Sequence, residues 1–217
     1  MFTYIALFRV RIMPKDKSDS HKRVLEAAKN EFMEFGFADA SMRRIAQNAG
    51  LTASGLYKHF PSKEDMFAAL VDPALKAFWS LYEEREKEEF GELDGPDKDE
   101  YLDDTEASQR IMHFIYDNFD AFKLIVSRSQ GTRYESFSHD VALREEATTL
   151  SFMEGLKAKG FKLNKINKKQ FHLLVTGNVE AILEAVKHDF TRKEALDYAR
   201  TLDDFYLPAW KRFFGVN

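Results

Sequence analysis

Between Ser41 and Lys63 the chain concentrates side chains that donate hydrogen bonds to anions and to the edges of bases. The run SMRRIAQNAGLTASGLYKHF, residues 41–60, holds Ser41, Arg43, Arg44, Thr52, Ser54, Tyr57, Lys58 and His59, and Lys63 follows closely. Guanidinium and ammonium groups neutralise phosphates, and a helix that carries such donors into a groove can read the base edges there. The spacing suits two short helices around a tight turn. Ala46 and Ala49 are small where one helix must cross another, and Gly50 tolerates the positive φ that such a turn requires. Ile45, Leu51 and Leu56 supply the apolar contacts that seat the pair on a preceding helix. Thr52 is expected to cap the second helix, leaving its N-terminus free to enter a major groove. Ser54 and Gly55 are small enough for close approach to a ligand backbone. Tyr57 then meets a phosphate or a thymine methyl, Lys58 a phosphate or a guanine, and His59 adds a donor. Ser41, Arg43 and Arg44 are expected against the sugar-phosphate backbone, and Lys63, at a helix N-terminus, on a further phosphate. The implied partner is double-stranded DNA.

Other chemistries find little support. The six histidines, His21, His59, His113, His139, His172 and His188, form no helical metal-binding pair. Acidic clusters at Glu83–Glu89 and Asp97–Asp104 read as a solvated face and a loop. Neither a phosphate-cradling glycine loop nor a nucleophile elbow is present. Cysteine is absent, which excludes disulfides, thiolate metal sites and cysteine catalysis, and suits a reducing cytoplasm. The expectation is a protein that is not an enzyme and uses neither cofactor nor metal. Aromatic content is high, with 20 Phe, 8 Tyr and 2 Trp. Phe78, Trp79, Tyr82, Tyr116, Phe119, Phe122 and Phe152 are candidates to line a cavity for a largely apolar small molecule, with Arg128, Tyr134, His172 and Asn178 as orienting groups. The alternative for each ring is plain core packing.

The elements that must position these residues are helical throughout. Val24, Ala28, Phe32 and Phe35 recur at spacings of four, four and three, so they share one face of a first helix. Ser18, Asp19 or Ser20 is expected to cap it and Gly36 to end it. Helices are expected from Ser41 to before Gly50, from Thr52 to Phe60-Pro61, and from Lys63 to about Phe90, the last opened by Ser62 and Asp65. GELDGPDKDE, residues 91–100, reads as a loop. Further helices are expected near Thr105–Asn118, Phe119–Ser129, Val141–Lys159, Lys168–His188 and Arg192–Phe214, with residues 127–140 as a break. No alternating strand pattern occurs. The fold class is all-α, with about nine helices.

The net charge of −4 is unevenly spread. Residues 1–60 hold ten bases and six acids, a balance of +4, whereas the remainder holds 22 bases and 30 acids, a balance of −8. A basic head on an acidic body fits a polyanion partner for the head alone. The first residues, MFTYIALFRVRI, are too short for a membrane span and lack the order of a signal peptide. Met13 reads as the natural start, with residues 1–12 from an upstream start codon, so that 1–17 is a leader, disordered or outside the natural start. No membrane association is expected.

With VLEAAKNEFMEFGF, SMRRIAQNAGLT and ASGLYKHFPSKEDMF in sequence, residues 20–70 resemble the TetR family of bacterial transcription regulators. That resemblance implies a three-helix DNA-binding domain at 18–62, joined by a long helix to a helical ligand-binding and dimerisation domain at 63–217. It implies a cytoplasmic homodimer, paired through residues 168–214, that binds a palindromic operator and in most members is a repressor released by a small molecule. The stripe of Leu174, Gly177, Ala181 and Ala185, with FYLPAWKRFFG at 205–215, would form the paired face. The alternative is a helical ligand-binding or interaction protein without operator binding.

Overall fold

The structure, a computed structural model, describes residues 17–92 and 107–216. The proposed leader and most of the acidic loop lie outside the described residues. Within them the fold is all-α: α1 (Lys17–Asp39), α2 (Met42–Asn48), α3 (Ala53–Tyr57), α4 (Lys63–Glu92), α5 (Ala107–Asp117), α6 (Phe119–Arg128), α7 (Phe137–Ala158), α8 (Lys168–Lys187) and α9 (Arg192–Phe214).

The start of α1 precedes the expected caps, so Ser18, Asp19 and Ser20 lie inside its first turn. Val24, Ala28 and Phe32 are fully buried on one face, as the spacing predicts. Phe35 is not; it is exposed beneath the Arg44 guanidinium, 4.3 Å from its ring. The cause is Gly36, whose φ of 75° and ψ of 167° interrupt the helix. Only glycine takes up that conformation without strain. The break turns Phe37 inward instead, where it meets Phe32 and Phe67.

The later helices follow local signals closely. Ser62 Oγ accepts from the Asp65 amide at 3.0 Å at the head of α4. Asn167 Oδ1 accepts from Lys169 and Gln170 amides at α8. Thr191 and Glu194 form a reciprocal capping box at α9, which ends on Gly215 with φ 77°. Two boundaries depart from expectation. α4 continues through Gly91 and Glu92, into the expected loop. α7 begins at Phe137, four residues early, because Phe137 is buried among Phe78 and Phe122 and tertiary packing outweighs the polar composition around it.

Most buried apolar side chains form one continuous core from Val24 on α1 to Phe214 on α9, and Met112, Ala185, Ala195 and Ala199 form a second, smaller cluster. Phe32, Phe67, Phe122 and Phe171 are among the largest fully buried groups, each contributing roughly 1.5–3 kcal/mol of transfer free energy. Lys29 Nζ donates to Asp120 Oδ2 at 3.0 Å, tying α1 to α6. Lys123 is buried on α6, and its ammonium donates to the Val186 and Lys187 carbonyls, both at 3.0 Å. It thereby satisfies orphan acceptors at the end of α8. On the outer faces of α8 and α9, Leu173 and Phe205 are 70% and 71% exposed. In the small-residue stripe, Leu174 and Gly177 are also exposed, whereas Ala185 is buried within the protomer against Met112, Ala195 and Ala199.

Candidate nucleic-acid interface and interior cavity

The α2–α3 unit is held by its caps and its glycine turn. Ser41 Oγ accepts from the Arg44 amide at 3.4 Å, and Thr52 Oγ1 from the Gly55 amide at 3.1 Å. Gly50 joins the helices with φ 67°. Ile45, Ala46, Ala49 and Leu56 are buried against α1, and Leu51 is half-buried. A Cβ on Gly55 would lie 3.3 Å from Thr52 Oγ1, so this glycine also protects the cap. α3 stops at Tyr57, short of the expected Phe60, although the His59 and Phe60 amides still donate to the Leu56 carbonyl. Lys58 and His59 therefore sit on the turn that closes the helix.

The predicted donors divide into two groups. Arg43, Ser54, Tyr57 and Lys58 make no side-chain hydrogen bond or ion pair among the described residues, and Tyr57 is 52% exposed. His59 is half-buried near His21, whose ring stacks on Phe60. Ser41, Arg44, Thr52 and Lys63 are engaged internally. Lys63 Nζ donates to the Ala38 and Ala40 carbonyls at 3.1 and 3.3 Å and lies over the Phe37 ring. It pins the chain that leaves α1 rather than standing free at the N-terminus of α4. Arg44 Nε donates to Glu31 Oε1 at 2.7 Å, and Nη2 to the Asp39 carbonyl. The bond to Glu31 raises the guanidinium pKa further.

Glu31 is a residue the sequence reading missed. Its side chain is nearly fully buried, and the same carboxyl oxygen also accepts from the Ser41 amide at 2.7 Å. One acid thus fixes both the N-cap of α2 and its second arginine. Its only sequence signal is an acid on the helix that precedes the pair, and that pattern is indistinguishable from a solvated face.

At the far end of α4 the helices enclose a cavity of about 630 Å³. Phe78, Tyr82, Phe122 and Phe152 line it as expected, and Asn178 joins them. Trp79, Tyr116, Phe119, Arg128 and His172 do not. Trp79 packs edge-on against Phe78 and Phe137. The Tyr116 hydroxyl is drawn away to the Phe190 carbonyl at 2.8 Å, with Phe119 against its ring. Arg128 closes α6, its carbonyl facing Gly36. His172 Nδ1 pairs with Glu146 Oε2 at 2.9 Å. Tyr134 is also outside the wall; its hydroxyl donates to Asp72 Oδ1 at 2.6 Å, and burial together with that bond pushes its pKa up to about 12.

The most perturbed group in the wall is Glu145, also unforeseen. Its carboxyl accepts from the Tyr82 hydroxyl and lies 3.6 Å from Arg85, beyond hydrogen-bond reach. Burial pushes its pKa up to about 7. Its side chain, 23% accessible, lines the cavity. Among the described residues no group of three His, Asp or Glu is placed to hold a metal.

A three-helix head whose second and third helices flank a glycine turn has the geometry of a helix-turn-helix. Residues 24–70 match the family model for bacterial regulatory proteins of the tetR family. The uncharacterised HTH-type transcriptional regulator YdgC of Bacillus subtilis is 47% identical over 53 residues, which are 24% of this chain and 27% of YdgC. The HTH-type transcriptional regulator UidR of Escherichia coli is 36% identical over 59 residues, 27% of this chain and 30% of UidR. The matches thus span well under two thirds of these relatives. Among solved structures, Salmonella enterica GusR superposes with a TM-score of 0.52 at 20% identity, over 93% of this chain and 98% of that one. A TetR family transcriptional regulator from Chloroflexus aurantiacus does so with a TM-score of 0.54 at 13% identity, over 94% and 95%. The head is thus similar to the corresponding segment of tetR-family regulators, and the fold of the whole chain is like that of solved members.

Proposed function

We propose that the chain is a ligand-responsive transcription repressor that binds a palindromic operator as a homodimer and is released by a small molecule bound in the cavity. The observation that carries this reading is the division of the head. Ser41, Arg44, Thr52, Gly55 and Lys63 build the reading unit, while Arg43, Ser54, Tyr57 and Lys58 are left with unspent donors on its surface beside His59. The first group orients the second, which contacts phosphates and base edges. The exposed apolar side chains Leu173, Leu174 and Phe205 support pairing through α8 and α9. A two-fold pair sets two heads about 34–36 Å apart, one per successive major groove.

α4 links head and cavity in one helix of 30 residues, about 45 Å long. An effector that shifts α4 would change the separation of the two heads and break simultaneous docking. The named relatives are transcription regulators, and no catalytic role is proposed. No helix among the described residues is long and apolar enough to cross a membrane, and the proposed place of action is the cytoplasm, where the DNA lies.

Binding to duplexes from the region upstream of the protein's own coding sequence, measured across a salt series, tests this reading. The expected result is sequence preference with affinity falling steeply as salt rises. Weak and equal binding to every duplex would overturn it.

A further inference from the structure

The cavity is asymmetric. Phe78, Phe122, Phe152 and Trp210 present rings on several sides, and its volume of about 630 Å³ suits a drug-sized molecule. The exception is Glu145. Its Oε1 accepts from Tyr82 and is also the oxygen nearest Arg85. Its Oε2 has no hydrogen bond or ion pair among the described residues. A carboxylate accepts up to about four hydrogen bonds, so most of this group's capacity is unspent, in surroundings where an unsatisfied charge is costly.

We propose that the cavity takes an amphipathic organic cation, with its protonated nitrogen on Glu145 Oε2 and its apolar body among the aromatic rings. This rests on the reading of the cavity as the effector site. The charged and titratable groups lining the cavity around Glu145 are Tyr82, Arg85 and Glu88 from α4 and Arg110 from α5; α6, α8 and α9 contribute none. Both arginines already have partners in the fold. An anionic head would therefore meet the Glu145 carboxylate beside arginines that are already engaged, whereas a cationic head finds an open acceptor in Glu145 Oε2. Phenyl, phenol and indole faces add cation–π attraction to their apolar contact. The elevated pKa of Glu145 supports the assignment, because an arriving cation restores the stabilisation that burial removed.

Calorimetric titration of the intact protein with decylamine, decanoate and decanol, all below micelle formation, tests the proposal. At pH 8 decylamine is expected to bind at least about tenfold more tightly than either partner of matched chain length. A carboxyl that titrates at about 7 changes its ionised fraction about tenfold between pH 6 and pH 8. Decylamine affinity should rise by about that factor over this range, while decanol affinity stays flat. Glu145→Gln should erase the amine preference and its pH dependence, leaving decanol binding unchanged, and Glu145→Asp should retain the preference. Tighter binding of decanoate, an amine preference that survives Glu145→Gln, an affinity that does not rise with pH, or no binding of any of the three would overturn it. Operator binding is measured on the same protein without ligand. Should the amine fail while DNA is bound, the ligand assignment falls and the regulator reading stands; should the amine bind while DNA is not bound, the reverse holds.

Discussion

The two ends of α4 meet sites built in different ways. At Lys63 the helix abuts a head whose parts are close in sequence: Glu31, Ser41, Arg44, Gly50 and Thr52 set one another's geometry through caps, a turn and one buried acid. At Tyr82 and Arg85 it borders a cavity whose wall comes from six helices, from Phe78 to Phe214. The head is fixed by local hydrogen bonding, and the side chains proposed to read DNA project from that frame. The cavity is fixed by packing between distant segments, so its chemistry depends on which face each long helix turns inward. The chain's matches to YdgC and UidR cover 53 and 59 residues, on the scale of the head rather than the body.

That contrast can be broken most sharply at Glu31. Replacing it by alanine leaves the Ser41 amide and the Arg44 guanidinium without their acceptor, and the expected cost is about 3 kcal/mol. Because head and body share one core, the loss should appear in the thermal unfolding of the whole chain. A melting temperature equal to that of the unaltered protein would mean that Glu31 does not organise the head.

The matching substitution in the cavity acts with opposite sign. Burial raises the Glu145 pKa in the folded state to about 7 from the ordinary 4.5. The folded protein then binds a proton more tightly than the unfolded chain, so stability falls as pH rises between about 4.5 and 7. Glu145→Gln, which carries no charge, should be more stable to denaturant at pH 8, by up to about 3 kcal/mol, and show little difference at pH 4.5. A variant less stable at pH 8 would place the carboxylate in a favourable charged setting instead.

Gly36→Ala probes the joint between the regions. Nothing crowds a Cβ there more closely than the Arg128 carbonyl at 4.0 Å, so the cost comes from the backbone at φ 75°. Roughly 1.5 kcal/mol of destabilisation is expected by chemical denaturation, with Phe37 losing its seat on Phe67. Thr52→Ala should have the smallest effect, about 1 kcal/mol for a lost N-cap. Its consequence belongs to the head, where amide exchange at Gly55 should accelerate while exchange in α8 stays as before.

The same contrast explains what the sequence alone revealed. Ser41, Thr52 and Ser62 were legible as caps because their side chains act on amides three residues away. Gly36 and Gly50 were legible as turns because their positive φ is a local need. Most helix limits followed from the same signals. Phe35 was misplaced because the break at Gly36 exchanges it with Phe37. In the cavity, aromatic residue type identified candidates but not direction: Phe78 and Phe122 turn inward, while Tyr116 follows its hydroxyl to a carbonyl on the other side of α5. Glu145 lies in the run Arg144-Glu145-Glu146, which reads as a solvated face. Its neighbours face other partners, Arg144 toward Glu86 and Glu146 toward His172, and Glu145 alone of the three meets Tyr82 and lines the cavity.

The most direct measurement is the affinity of the protein for its operator duplex beside that of the double variant Tyr57→Ala, Lys58→Ala. Both side chains project from the head without internal partners among the described residues, so the variant should keep its melting temperature. Two lost contacts of roughly 1–3 kcal/mol each predict a loss of specific affinity of about 30-fold or more. Unchanged operator affinity in a folded double variant would contradict the assignment of α3 as the reading helix.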